Sequence, residues 1–89
     1  MSKYSIQISK SAAKYLADLP KVDQLRIVGV VDLLSENPLP PKALKLRGRE
    51  GYRIRVGDYR ILYTFNGTVM TVWVIKIGHR KDVYRDVKP

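Results

Sequence analysis

The sequence contains no cysteine and only one histidine among its 89 residues. The lack of cysteine excludes a disulfide framework, a thiolate nucleophile and a thiolate metal site. A single histidine excludes a metal site built from several histidines. The apolar runs are far shorter than a membrane span, and the N-terminal residues alternate in polarity instead of forming an apolar signal segment. We therefore expect a cytoplasmic protein with no membrane partner.

Positive charge is the strongest property of the composition, and it is unevenly distributed. The formal net charge is +9. Residues 1–41 carry a net +1, residues 42–60 a net +5, residues 61–75 no formal charge, and residues 76–89 a net +3. A basic cluster on a small domain is typical of proteins that bind a polyanion, most often nucleic acid. The alternative is that the charge serves only solubility.

Apolar spacing predicts a strand and two helices in the N-terminal part of the chain. Residues 4–9 alternate as a strand does, and Ser9 or Ser11 can cap the helix that follows. Pro20 ends this helix, and residues 22–34 form a second helical pattern. The second helix is predicted to bury a stripe made of Leu25, Val28, Val31 and Leu34, with Ile27 beside them.

From residue 44 onward the apolar period changes to two, which predicts strands. The predicted strands are residues 44–47, 52–56, 59–65 and 69–77, followed by a short helix at 80–87. Gly57-Asp58 and Asn66-Gly67 are the turn signals of two hairpins. The order β-α-α-β-β-β-β-α predicts a single α+β domain over residues 1–89. In this fold the helical hairpin covers one face of a twisted, mostly antiparallel sheet.

Two-residue turns in both hairpins would decide which side chains share a face of the sheet. The first turn pairs Arg55 with Arg60, and the second pairs Tyr63 with Met70 and Arg60 with Trp73. The core face then carries Ile54, Val56, Tyr59, Ile61, Tyr63, Phe65, Met70, Val72 and Val74. The other face carries Arg53, Arg55, Arg60, Leu62, Thr64, Thr71, Trp73 and Ile75.

The pairing of Arg55 with Arg60 predicts an anion site. Like charges directly opposite each other in a sheet are destabilising. A phosphate between the two guanidinium groups removes that repulsion, because arginine offers planar, bidentate donors to its oxygens. The alternative is an ordinary solvated face with a few exposed apolar residues. The C-terminal segment could bring His79, Arg80 and Tyr84 to the same surface.

Five short segments, taken in order, resemble the RelE branch of the RelE/ParE toxin superfamily. They are KLRG at 45–48, YRIR at 52–55, DYRILY at 58–63, IGHR at 77–80 and VY at 83–84. The resemblance spans nearly the whole chain. It implies the toxin of a type II toxin–antitoxin system, an endonuclease that cuts mRNA in the ribosomal A site. It also implies chemistry without metal or cofactor, in which the substrate 2′-OH attacks the adjacent phosphate.

The resemblance further implies roles for single residues. The basic pair falls on Arg53 and Arg55, and the phosphate-binding arginine on Arg60. Stabilisation or protonation of the leaving group falls on Arg80, and base stacking or orientation of the nucleophile on Tyr84. The family often has lysine where this chain has Arg53 and Arg55, and arginine cannot be deprotonated in proteins. Histidine has an ordinary pKa suited to proton transfer near neutrality. His79 is therefore the candidate base, with Tyr84 or a purely electrostatic mechanism as alternatives.

Further basic and aromatic residues are expected to contact ribosomal RNA, where phosphate contacts position a protein without reading sequence. They are Lys42, Lys45, Arg47, Arg49, Trp73 and Lys81. The resemblance also implies an acidic antitoxin that folds over the basic surface. Two other interpretations stay open. One is a ParE-like inhibitor of DNA gyrase without nuclease activity, and the other is a basic module that binds RNA without cutting it.

Overall fold

The structure is a computed structural model that describes residues 3–81. Its elements are β1 (Ser5–Ile8), α1 (Lys10–Ala17), α2 (Lys21–Glu36), β2 (Leu44–Lys45), β3 (Tyr52–Val56), β4 (Tyr59–Asn66) and β5 (Thr71–His79). Arg80 and Lys81 form a turn after β5. The rest of the helix predicted at residues 80–87, and with it Tyr84, lies outside the described residues.

One five-stranded sheet receives both helices. Its strand order is β1-β5-β4-β3-β2, in which β1 runs parallel to β5 and the other neighbouring pairs are antiparallel. Both helices pack on the same face, α1 against β5, and α2 against β1, β3 and β5. The predicted α+β architecture with a mostly antiparallel sheet is confirmed. None of the helices within residues 3–81 is long and apolar enough to cross a membrane.

Ser9 begins α1 and ties it to the sheet. Its backbone is extended (φ −63°, ψ 156°), and its Oγ accepts the Ala12 N–H at 3.1 Å. This bond satisfies one of the free donors in the first helical turn. The same hydroxyl donates to the Ile75 carbonyl at 2.7 Å. Of the two serines predicted as caps, Ser9 is therefore the cap.

The first hairpin has the predicted register. Gly57 and Asp58 form the turn between β3 and β4, and Arg55 lies opposite Arg60. Gly57 has a φ of +59°, which the first central position of a tight hairpin turn requires. Glycine adopts this left-handed conformation without a steric penalty because it has no Cβ.

The second hairpin differs from the predicted register. Four residues, not two, connect Asn66 to Thr71, which are paired across the strands. Asn66 Oδ1 accepts the N–H groups of Thr68 and Val69 at 2.8 and 3.1 Å, and this side-chain bonding stabilises the longer loop. Met70, predicted to face the core from a strand, lies in the loop with a φ of +49°.

The longer loop slides β5 along β4 without turning Trp73 to the other face. The slide amounts to four residues, and an even shift preserves the faces of a strand. Trp73 therefore lies opposite Thr64 instead of Arg60. Strict alternation predicted that Ile75 faces the arginine side. A bulge at Ile75 interrupts the pairing of β4 with β5, and beyond it Gly78 lies opposite Arg60.

The core lies between the helices and one face of the sheet. The strands contribute Ile54, Val56, Ile61, Tyr63, Val72, Val74 and Ile77. From α2 the buried stripe is Ile27, Val31 and Leu34. The prediction was wrong for Leu25 and Val28, whose exposed fractions are 62% and 50%. Because α2 carries apolar residues on two sides, helical spacing alone did not identify which side is buried.

Candidate nucleic-acid interface

Three arginines share the sheet face opposite the helices, and we call this surface the arginine face. Arg55 on β3 lies directly opposite Arg60 on β4. Arg53 lies two residues from Arg55 on the same strand, opposite Leu62. Because alternate residues of a strand point to the same side, all three project from the surface away from the core. Strand pairing therefore places these three positions on one face of the sheet, as the sequence predicted.

Backbone carbonyls hold two of these guanidinium groups. Arg55 Nε donates to the Gly57 carbonyl at 3.0 Å, and Arg60 Nη1 donates to the Tyr59 carbonyl at 3.2 Å. Within residues 3–81 no carboxylate lies in ion-pair range of either group. Each guanidinium keeps further N–H donors for a ligand. Two cations on adjacent strands without a neutralising carboxylate favour an anion between them.

An apolar residue lies among these cations. Leu62 belongs to the arginine face by strand alternation, yet it is only 1% exposed. It is also separate from the core cluster that packs against the helices, so this burial was not expected from its position. A charge beside buried apolar surface interacts more strongly with an anion than a fully hydrated charge does, because the local dielectric constant is lower.

The turn after β5 brings Arg80 to the end of the first hairpin. Its N–H donates to the Asp58 carbonyl at 2.7 Å, and its Nε lies 3.8 Å from Asp58 Oδ1. Both side chains are more than half exposed, so the ion pair is screened and contributes little to stability. Its effect is positional, because it holds Arg80 beside the turn that leads into Arg60.

A cleft opens where the tip of the β3–β4 hairpin meets the N-terminal part of α2, and we call it the tip cleft. Its volume is about 280 Å³. It is lined by Asp23, Arg26, Arg55, Val56, Gly57, Asp58, Tyr59 and His79. Sequence reasoning selected Arg55 and His79 and missed Asp23, Arg26 and Tyr59. Asp23 and Arg26 come from a helix far away in sequence, so no local pattern signals that they meet the hairpin.

His79 lies in the tip cleft, on the helix side of the sheet. It is paired with Tyr59 across β5 and β4, and the two rings meet edge to face with centroids 6.0 Å apart. His79 Nδ1 accepts the Lys81 N–H at 3.2 Å, which places the proton of the neutral ring on Nε2. The imidazole therefore keeps an N–H donor at Nε2, and the fold does not bring it onto the arginine face.

A hydrogen bond joins the sheet to α2 inside the tip cleft. Tyr59 Oη donates to Asp23 Oδ2 at 3.1 Å. This bond, followed by burial and the charge of Asp23, raises the pKa of Tyr59 above its ordinary value. The phenol therefore stays protonated near neutrality and occupies an oxygen of Asp23. Arg26 and Arg55 remain as the cations that a ligand in the cleft would meet.

The other residues predicted to contact RNA lie on the surface of the protein, and strand pairing puts Lys45 on the helix side of the sheet, opposite Tyr52. Lys45 belongs to the edge strand β2, next to β3, and Arg47 and Arg49 follow it in the connection to β3. All three are exposed, as are Lys42 and Lys81. Trp73 is 39% exposed on β5. Their contacts with RNA stay predictions, and so does the role of Tyr84, which the structure does not describe.

The described part of the chain contains no group of three His, Asp or Glu side chains placed to hold a metal ion.

A family model matches residues 6–84 of the chain. It describes the ParE toxin of type II toxin–antitoxin systems, parDE. The chain belongs to the RelE/ParE toxin superfamily. The resemblance seen in the sequence segments is thereby confirmed, and the protein is a toxin of a type II toxin–antitoxin system.

The chain is also similar to RelE-type toxins. Toxin RelG of Mycobacterium tuberculosis is 30% identical over 89 residues, covering 92% of this chain and 97% of RelG. The RelE–RelB complex of Pyrococcus horikoshii OT3 has a chain that is 31% identical, with a TM-score of 0.74 over 86% of this chain and 94% of that one. The toxin–antitoxin complex RelBE2 of M. tuberculosis gives 30% identity and a TM-score of 0.77, over 92% and 97%.

Proposed function

We propose that the toxin is a ribosome-dependent endoribonuclease that cuts mRNA in the A site, without a metal ion, and so inhibits translation in the cytoplasm. The observation that carries this proposal is the direct pairing of Arg55 with Arg60 across β3 and β4. Arg53 on the same face and Arg80 at the hairpin end extend the cationic surface. Identities of about 30% to toxins of the RelE branch support the proposal.

In the proposed reaction the 2′-OH of one nucleotide attacks the adjacent phosphate in line, and the 5′ oxygen of the next nucleotide leaves. The products are a 2′,3′-cyclic phosphate and a 5′-OH. Negative charge develops on the phosphate oxygens, where Arg53, Arg55 and Arg60 would bind it. Electrostatic stabilisation of this kind is often the largest single contribution to catalysis. Arg80 would stabilise the charge that grows on the leaving oxygen, which takes a proton from water to give the 5′-OH.

Within this proposal, proton transfer from the 2′-OH is assigned to His79. The arginines can bind charge but cannot remove a proton. His79 lies across the hairpin tip from the arginine face, and its Nδ1 lone pair accepts from Lys81. A base role therefore requires that contact to break. The alternative within the same reaction is that His79 donates a hydrogen bond through Nε2 while electrostatic stabilisation carries most of the rate.

We also propose that an acidic antitoxin holds the toxin inactive. The two solved relatives described above are complexes of a toxin with an antitoxin. The net charge of +9 favours a partner of opposite charge, because complementary potentials speed association and select partners. Carboxylates of the antitoxin lying over Arg55 and Arg60 would take the place of the RNA phosphate.

Induction of the toxin in bacterial cells, followed by mapping of mRNA 5′ ends, tests the nuclease function. For the wild type we expect new 5′ ends inside translated regions, in register with codons. Arg60→Ala should remove most of these ends because it deletes a donor to the reacting phosphate. Lys10→Ala, which removes a positive charge from α1 on the helix side of the sheet, should cut like the wild type. Intact messages in arrested wild-type cells would contradict the proposal.

Inhibition of DNA gyrase is the second candidate function, and the matching family model favours it because it describes ParE toxins. This function needs a protein-binding surface and no nuclease site. In the same induced cells it predicts a DNA damage response and lost supercoiling while mRNA stays intact. A toxin with no effect on growth would instead favour a basic module that binds RNA without cutting it.

A further inference from the structure

The outer side of α2 carries an apolar row that the fold leaves exposed. Val22, Leu25 and Leu33 are each 62% exposed, and Gly29 lies between the two leucines. These four positions follow one another at intervals of three, four and four residues, which places them along one side of a helix. We call them the outer row. The buried stripe of α2 lies on the opposite side of the helix.

The outer row is open at its centre. A Cβ built at Gly29 would meet no heavy atom within 4 Å. Glycine is a poor helix former, but it lets another backbone approach closely. Single exposed apolar residues are normal on a protein surface, whereas several in a row on one face mark an interaction site.

The positions of the outer row are symmetric about Gly29. Leu25 and Leu33 each lie four residues from it, in opposite directions. A second copy of α2, running antiparallel and crossing at Gly29, would therefore pack its Leu33 against Leu25 and its Leu25 against Leu33. A two-fold symmetric interface requires this self-complementarity, and an asymmetric partner would not.

Charge complementarity selects the same arrangement. Lys21 lies one turn before Leu25, and Glu36 lies one turn after Leu33, so both flank the outer row at its two ends. In an antiparallel pair, Lys21 of each copy lies beside Glu36 of the other. The opposed helix dipoles favour this direction as well. The α2 segment carries two basic and three acidic residues in a chain of net charge +9, so copies repel each other least here.

We propose that the toxin, when free of other partners, forms an antiparallel homodimer through the outer row of α2, with the helices crossing at Gly29. A helix of 16 residues is about 24 Å long. One helix pair of this length buries less than the roughly 800 Å² per partner of a standard stable interface. The dimer is therefore weak, and the arginine faces of both copies stay open because they lie on the other side of the sheet.

Sedimentation equilibrium of the purified toxin tests the proposal. We expect a monomer–dimer equilibrium with a dissociation constant in the micromolar range or above. Leu25→Glu and Leu33→Glu should each raise that constant at least tenfold, because each buries two carboxylates, one from each copy, against a leucine of the other copy. The matched control is Val69→Glu in the β4–β5 loop, which has a similar exposed fraction of 59% and should leave the equilibrium unchanged.

A charge exchange tests the direction of the helices. Lys21→Glu and Glu36→Lys should each weaken the dimer by about three- to tenfold, since each breaks two exposed ion pairs. The double variant should restore it, because every antiparallel contact then pairs opposite charges again. Failure of the double variant to recover would contradict the antiparallel arrangement.

The salt dependence of dimerisation and the binding of antitoxin distinguish this dimer from other functions of the outer row. Because each copy carries +9, added salt should tighten the dimer by screening the overall repulsion. A toxin that stays monomeric at every concentration reached, or a dimer that ignores Leu25→Glu, would overturn the proposal. A monomeric wild type whose Leu25→Glu variant no longer binds antitoxin would show instead that the row is an antitoxin surface.

Discussion

At the scale of single residues, we expect the facing pair Arg55 and Arg60 to lower the stability of the free protein and to strengthen its binding to an anion. Like charges facing each other across two strands destabilise a sheet. Each guanidinium donates to a backbone carbonyl of its own hairpin, and within residues 3–81 neither has a carboxylate partner. Under the proposed function, an anion bound between them would relieve this repulsion.

Arg55→Thr tests whether the two facing arginines lower the stability of the free protein. Removing one of the opposed charges and inserting a strand-favouring residue should raise the free energy of unfolding by about 0.2–1 kcal/mol, while mRNA cleavage falls. Urea denaturation at low ionic strength measures the stability. Arg49→Thr removes the same charge from a loop with no opposed arginine and should leave stability unchanged. A destabilised Arg55→Thr protein would show that the pair does not repel.

His79→Gln tests the assignment of proton transfer. If His79 removes the proton, the cleavage rate should fall about 100-fold or more, which is the usual contribution of a general base, and its pH dependence near neutrality should disappear. Tyr59→Phe is the control, because it keeps the ring that packs against His79 and removes only the hydroxyl that bonds Asp23. Unchanged cleavage by His79→Gln would remove the base role and leave electrostatic stabilisation.

Tyr63 should make stability depend on alkaline pH. Its ring is fully buried and its Oη donates to the Pro38 carbonyl at 2.7 Å. Burial, with a smaller effect of Tyr52, raises the pKa of Tyr63 from 10.0 to about 12. Because the pKa is raised in the folded state, the resulting stability is complete below the unfolded pKa and is lost as pH rises through the folded one.

The free energy of unfolding should therefore decline as pH rises from about 10 to 12. Tyr63→Phe should be less stable at neutral pH by about 1–3 kcal/mol, because the buried Pro38 carbonyl loses its donor. Its further decline at alkaline pH should be shallower than that of the wild type. Parallel pH profiles for the two proteins would contradict the assignment of the raised pKa to Tyr63.

At the scale of elements, local signals predicted those elements whose ends are set by nearby residues. Ser9 caps α1 through its own side chain, and Gly57 forms the first hairpin turn through its own backbone. The register that places Arg55 opposite Arg60 follows from that turn alone. For this reason the arginine face could be predicted from the sequence.

Two elements were predicted less well because competing interactions decide them. Asn66-Gly67 is a strong signal for a two-residue turn, but Asn66 Oδ1 bonds two N–H groups of a longer loop. In α2 two apolar sides compete, and the choice depends on which one meets the sheet. Ile27 and not Leu25 meets it, and helical period alone cannot distinguish them.

Gly29→Ala should stabilise α2. Alanine is the better helix former by about 1 kcal/mol, and the space above Gly29 is open. Urea denaturation at a concentration where the toxin is monomeric should show this gain. Gly57→Ala is the contrasting control, since φ is +59° there and a Cβ is strained, so stability should fall. A loss of stability in Gly29→Ala would mean that α2 has a neighbour at this position.

At the scale of the whole molecule, the two sides of the sheet differ in charge and in partner. The helices and β1 belong to the nearly neutral residues 1–41, whereas the strands that carry the arginine face belong to the basic remainder. RNA or an acidic antitoxin is expected on the basic side, and a second copy on the outer row of α2. The tip cleft lies between them and joins Arg26 of α2 to Arg55 and His79.

The side of the tip cleft that α2 forms is the part of the site that the sequence could not predict. Arg26 and Asp23 have no spacing or motif that links them to the hairpin, and only packing of α2 on the sheet brings them there. Tyr59 was assigned to the core, where its ring does pack, but its hydroxyl reaches Asp23. Contacts between distant segments are set by the tertiary fold and leave no local pattern.

The proposed function requires that the arginine face bind the phosphate on which the reaction occurs. Single-turnover cleavage of ribosome-bound mRNA by purified toxin tests it most directly. We predict products ending in a 2′,3′-cyclic phosphate. Arg60→Ala should slow cleavage by about 10²–10³-fold, as loss of one donor to a developing charge does, while it still binds the ribosome and Lys10→Ala cleaves normally. An Arg60→Ala toxin that cleaves as fast as the wild type, or a wild type that does not cleave, would contradict the claim.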